Sequence, residues 1–327
     1  MKNADSLSVC CSLALYRCGR VQLSILMATR RPTHAGSWYT ADTNQLASEL
    51  SAWLRDAGQP AEVTGTTRAI IAPHAGYSYS GPTAAWAYKH MARVKESVRR
   101  VFLLGPSHNL YSPKCLLSSC SEYATPLGSI KIDDTIYDEL AASNLFDEMQ
   151  LSVDEREHSL EMHLPYIMHV MAGVDFTLVP IMVGALSESA EQRYGQLLAP
   201  YLADPQNLFV ISSDFCHWGD RFNYTPYDAR HGEICQYIEA LDRNGMAFIE
   251  RIDAQGFAKY QREYNNTICG RHPIAVLLNS LLACADGVSG SQIRHELKFI
   301  RYAQSSPCRR LDDSSVSYAS AVITAAT

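Results

Sequence analysis

Three histidines stand just past three apolar runs, and this repetition is the clearest chemistry in the chain. Ala69-Ile70-Ile71-Ala72 ends at Pro73 and His74. Val101-Phe102-Leu103-Leu104 is followed by Gly105, Pro106, Ser107 and His108, and Leu208-Phe209-Val210-Ile211 by Ser212, Ser213, Asp214, Phe215, Cys216 and His217. Short apolar runs with β-branched centres, stopped by Pro, Gly or Ser, read as buried strands. In open α/β sheets ligands bind outside the carboxyl ends of the strands, so the three histidine loops are expected to converge on one crevice. Imidazoles placed there can ligate a metal or move protons near neutral pH. Asp214 is close in sequence to His217, where its carboxylate can set the imidazole tautomer and raise its basicity, which makes His217 the candidate general base.

Two further stretches carry reactive groups. Cys269, in Thr267-Ile268-Cys269-Gly270-Arg271-His272-Pro273, lies just ahead of an apolar helical pattern. The helix dipole and Arg271 both favour a thiolate, a nucleophile or metal ligand, although a lone cysteine is more often inert. In DEREHSLEMHLPYIMHVM (154–171), His158 and Glu161 are three apart and share a helix face before Pro165 interrupts it. With His163 they are expected to support a site rather than form it, and His169 reads as surface or core. Trp38 serves equally well as core or as a pocket wall.

These groups need a scaffold. Gly76 permits a tight turn beside His74, and Gly81-Pro82 opens a helix over Thr83 to His90. Leu46, Leu50, Trp53 and Leu54 recur at helical spacing behind a cap at Asp42 or Thr43. Cys115 to Ile132 reads as a hairpin excursion, followed by a helix from Asp133 or Asp134. The apolar run Phe176 to Val183 contains Pro180, which predicts a bulged strand or one nearer an edge. Helical patterns fill Tyr224 to Tyr264. Leu297 to Tyr302 and Ser315 to Ile323 read as strands, the second half-buried. The expected fold class is α/β, a central mixed sheet with helices on both faces. Residues 31–327 are expected to form one domain, with 1–30 a disordered extension and the functional start near Met27.

Composition narrows the partners. The 327 residues carry a net charge of -6, with a pI near 6.0. Lys and Arg are scattered, so nucleic acid and anionic membranes are poor partners and a small polar or metal-chelating ligand fits better. The apolar segment VCCSLALY is far too short to span a bilayer. Ten cysteines show no CxxC pair and no disulfide framework. A reducing compartment is therefore expected, the cytoplasm first and the nucleus second.

Taken in order, HAGSWYTA (34–41), IIAPHAGYSY (70–79), LGPSHN (104–109), EHSLEMHLPY (157–166), VGALSES (183–189), SSDFCHWG (212–219), NTICGRHPI (266–274) and the tail phrases YAQSS and DSSVSYA resemble the Memo family, named for mediator of ErbB2-driven cell motility. The resemblance covers about the whole chain from His34 onward. It implies a fold like that of the class III (LigB-type) non-haem iron dioxygenases and a metal site on His74, His108 and Cys269. It also implies a catalytic role for His217 with Asp214, and a phosphotyrosine-peptide pocket involving Trp38, Tyr79, Asp214 and Arg221. The dioxygenases use two histidines and a carboxylate, whereas a thiolate stands here. Softer donors favour copper or zinc and alter iron's potential, so extradiol cleavage does not follow from the fold. The expected function is metal-dependent redox chemistry at an iron or copper site acting on a small redox substrate, linked to cell motility signalling, with zinc the lesser choice. The alternative is a non-catalytic adaptor that binds a phosphotyrosine peptide of a receptor.

Overall fold

The computed structural model describes residues 28–58, 63–288, 290 and 292–325. In chain order its first half contains β1 (Thr29–Arg30), α1 (Thr43–Asp56), β2 (Thr66–Ala72), α2 (Tyr77–Val94), β3 (Arg100–Pro106), β4 (Leu116–Ser118), β5 (Glu122–Thr125), β6 (Gly128–Lys131), α3 (Asp134–Ala142), β7 (Asp147–Met149), α4 (Leu151–Arg156), α5 (His158–Glu161) and α6 (Leu164–Val170). Then follow β8 (Thr177–Val183), α7 (Glu188–Ala203), β9 (Asn207–Ser212), β10 (His217–Trp218), α8 (Ile234–Glu250), α9 (Ala254–Tyr264), α10 (Arg271–Ala285), β11 (His295–Gln304) and β12 (Ser315–Ala325).

The centre of the main sheet is parallel, in the order β2, β9, β3, β8. Antiparallel β12 flanks β2, and antiparallel β4 flanks β8, so the sheet is mixed. Alternate residues of the central strands enter two separate cores. Ile71, Phe102 and Ile211 face a core shared with α7 to α10, whereas Ile70, Leu103 and Val210 face one shared with α1, α2 and α6. Burial on both faces is why these strands read as continuous apolar runs rather than alternating ones. A small second sheet, β1-β5-β6, contains the expected hairpin.

Several local expectations differ from the structure. Residues 1–27, including the start at Met27, lie outside the described residues. Residues 28–30, counted with the extension, belong to the fold, for Arg30 is fully buried. The helix after His74 begins at Tyr77, so Pro82 lies in its interior rather than opening it. Pro180 sits in an interior strand whose register against β3 is unbroken. The ladder to its neighbour β4 stops at Ile181, and beyond it the Tyr137 hydroxyl accepts the Ser118 N–H at 3.3 Å and donates to the Pro180 carbonyl at 2.6 Å. Residues 151–170 form three short helices, with Pro165 in the first turn of the last, where its missing N–H costs nothing. β12 is buried along its whole length, not half-buried. Its small side chains fit beneath α2, where Ser320 Oγ donates to the Thr83 carbonyl at 2.7 Å.

Candidate metal centre

β2, β9 and β3 are neighbours, and each delivers a polar residue two positions beyond its end: His74, Asp214 and His108. Cys269 arrives from the turn ahead of α10. Its Sγ lies 3.2 Å from His74 Nε2, and the ligand atoms of His74, His108 and Cys269 all lie within 4.8 Å of one another. Metal–nitrogen and metal–sulfur bonds of about 2.0–2.3 Å place two donors on one ion roughly 3–4.5 Å apart, so these three fit a single ion with slight closure.

Hydrogen bonds behind the rings decide which nitrogen faces the site. Ser212 Oγ donates to the Ser159 carbonyl at 2.7 Å, which leaves that oxygen to accept from His74 Nδ1–H at 2.6 Å. Glu157 Oε1 accepts from His108 Nδ1–H at 2.7 Å, while Oε2 accepts the backbone N–H of His108. His217 Nδ1 faces two carbonyls, Phe215 at 2.8 Å and Thr267 at 3.0 Å, so it too must donate. All three imidazoles therefore keep the Nε2 lone pair for a ligand or a proton.

The electrostatics favour neutral His74 and His217 rings beside one fixed anion, Glu157. Burial, reinforced by repulsion from His108, His158, His163 and His217, holds His74 well below the ordinary histidine range. Burial alone would raise Glu157, but hydrogen bonds and charge from His108, with the charge of His158, outweigh it and bring its carboxyl to about 2. Burial raises Asp214 to about 7 against the opposing backbone N–H of His74.

Two expectations are corrected here. Asp214 does not orient His217: its Oδ1 accepts from the His74 backbone N–H at 2.8 Å, and carbonyls hold the His217 ring. Nor do Arg271 and the helix end make Cys269 an anion unaided. Burial, then the charge of Asp214, pushes this thiol well above its usual value, so a bound cation is what would ionise the sulfur.

A cavity of about 590 Å³ opens over these groups. Trp38, His74, Tyr79, His108, His158, Asp214, His217 and Arg221 all line it. His158 is part of the wall itself, stacked on His108 at 4.3 Å and 4.5 Å from Trp38. His158, His108 and Glu157 also form a donor group, though Glu157 is already engaged by His108 and by the Ser159 N–H. Glu161 and His163 stand behind the wall. Glu161 accepts from Arg30, His34 and Tyr39, and His163 Nδ1 is 2.8 Å from the Tyr88 hydroxyl.

Sequence reasoning missed Glu157, Ser212 and Thr267, whose roles depend on which loops meet. It also gave no site role to the tail, read as strands and as family phrases, from which Ser305, Ser306, Ser314 and Tyr318 line the cavity. Clustered hydroxyls in that tail were the available signal.

Similarity to known proteins assigns the family. The family model described as Memo-like protein matches residues 30–322. Protein MEMO1 of Danio rerio is 50% identical over 304 residues, covering 92% of this chain and 99% of that protein. Protein MEMO1 of Homo sapiens is 50% identical over 305 residues with the same coverage. Protein memo-1 homolog of Caenorhabditis elegans is 47% identical over 297 residues, 90% of this chain and 82% of that protein. Matched along nearly its whole length, the chain belongs to the Memo family.

Proposed function

We propose that the chain holds one redox-active transition-metal ion, iron or copper, on His74, His108 and Cys269, and uses it in metal-dependent redox chemistry on a small substrate in the cavity. The observation that carries this reading is the set of hydrogen bonds that occupies Nδ1 of His74 and His108 and leaves Nε2 facing the site, beside a thiol sulfur 3.2 Å from His74 Nε2. Once bound, the ion would supply electron exchange and polarisation of a coordinated substrate. Imidazole and thiolate suit copper and iron, whereas zinc fits the same donors but carries no electrons. With sulfur where a carboxylate would be needed, extradiol ring cleavage is not part of this reading.

The protein's own groups do the rest. His217 Nε2 accepts or returns a proton at the cavity wall, with Nδ1–H pinned by the two carbonyls. Asp214 braces the His74 loop through the backbone N–H. Trp38 and His158, packed on each other, form an aromatic part of the wall that limits water beside the substrate. We place this chemistry in the cytoplasm or nucleus, in the service of cell motility signalling. The test is metal content of protein purified without chelator or nickel, alongside reductant-dependent oxygen consumption. About one iron or copper per chain is expected, falling at least tenfold in His74→Ala and Cys269→Ser; unchanged metal in both variants would sink the reading.

One observation favours a second reading, a phosphotyrosine-peptide adaptor. Arg221 lines the cavity with its guanidinium 4.4 Å over the Phe222 ring and has no ion pair among the described residues. Such a cation suits bidentate capture of phosphate. Under this reading Arg221→Ala abolishes calorimetric binding of the phosphorylated peptide and leaves metal content intact.

A further inference from the structure

A second cavity, of about 530 Å³, shares no lining residue with the first and lies between the start of α7, α9 and the start of α10. Its apolar part is made by Leu186, Phe257, Ala258 and Ala275. Its two acids are both engaged: Glu188 pairs with Arg262, and Glu191 Oε1 is 2.6 Å from His272 Nδ1. Arg271 also lines the cavity, exposed, with no ion pair or side-chain hydrogen bond among the described residues.

We propose that this cavity is a ligand site distinct from the metal centre, and that it takes a small amphiphilic carboxylate. The acid group meets Arg271, and the hydrocarbon lies on Phe257, Leu186 and Ala275. Three features select this class over others. Both acids of the lining are held by partners of their own, which leaves Arg271 as the lining charge free to meet an anion among the described residues. The apolar floor excludes a bare inorganic anion as the best occupant, because the floor would stay wet and unused. The α10 amino terminus, whose cap residue Gly270 offers no side-chain hydrogen bond, adds partial positive charge on the Arg271 side.

The experiment is calorimetric titration of the full chain with octanoate, using octanamide as the uncharged analogue and acetate as the acid without a tail. Octanoate is expected to bind with one site, at least about tenfold tighter than either control. Arg271→Gln should weaken octanoate about tenfold while leaving octanamide unchanged, and Ala258→Leu, which fills the half-buried mouth, should weaken both. Arg221→Gln, in the histidine cavity, should have no effect. Thermal melts of each variant establish that it folds. Failure of octanoate to bind, equal affinity in Arg271→Gln, or loss of binding in Arg221→Gln instead would each overturn the proposal.

Discussion

Glu157 illustrates how much one side chain decides. Fully buried, it spends one oxygen on His108 Nδ1–H and the Ser159 N–H and the other on the His108 backbone, so ring, tautomer and loop are set together. Glu157→Gln keeps the shape but removes the charge, and metal affinity measured by competition with a chelating dye should fall about 10- to 100-fold. Asp242 makes a prediction about pH. It is buried among Asn266, Tyr302 and the Cys216 N–H, and burial raises its carboxyl to about 6 despite those bonds. An unfolded aspartate titrates near 4, so between about pH 4 and 6 the native state holds the extra proton. Stability therefore declines as pH rises through that window and the deficit persists above it. Asp242→Asn mimics the protonated form; it should flatten the urea-unfolding free energy over pH 4–6 and gain roughly 2–3 kcal/mol relative to wild type at pH 7.

At the scale of elements, the site depends on a close approach between the β9 loop and the start of α10. A Cβ on Gly270 would stand 2.5 Å from the Ser212 carbonyl oxygen, a backbone atom that cannot swing aside. Gly270 also donates its N–H to Ser213 Oγ at 3.2 Å, so Cys269 is held against β9 by its neighbour. Gly270→Ala should cost about 1–3 kcal/mol in chemical denaturation and move Cys269 away from His74, lowering metal content further than the stability loss explains. A stable variant with full metal content would show that this contact does not position the sulfur. The three short helices from Leu151 to Val170 follow the same logic. The turn at Glu157, with ψ 117, lets Asp154 face Arg30 while Glu157 faces His108, which one continuous helix would not allow.

Across the whole molecule, Arg30 ties the small sheet to those helices. Its guanidinium binds Asp154 at 3.0 Å, Glu161 at 2.8 Å and the carbonyls of Asp154 and Glu157, all out of solvent. Glu161 in turn holds His34 and Tyr39, next to Trp38 of the cavity wall. Replacing the cation strands two buried carboxylates. Arg30→Leu should destabilise the fold by about 3–5 kcal/mol in urea unfolding and disturb metal binding through Glu157, whereas the exposed Arg31→Leu should cost no more than about 1 kcal/mol. Among the described residues no helix is long and apolar enough to cross a membrane.

By itself the sequence determined the strands that build the floor of the site, because Ile70, Phe102 and Val210 sit in runs buried on both faces and such runs carry their own signature. It also determined that histidines follow those strands, and its ordered motifs pointed to the family. The tertiary structure alone decided who partners whom. Glu157 reaches His108 across 49 positions, Ser212 reaches His74 across 138 and Cys269 reaches His74 across 195. Those meetings follow from the strand order β2, β9, β3, which sequence-local patterns do not encode. The misread prolines have the same cause. A proline's tolerance depends on whether a neighbour needs its missing N–H, and at Pro180 the ladder to the adjoining strand has already ended, with the Tyr137 hydroxyl between Ser118 and Pro180.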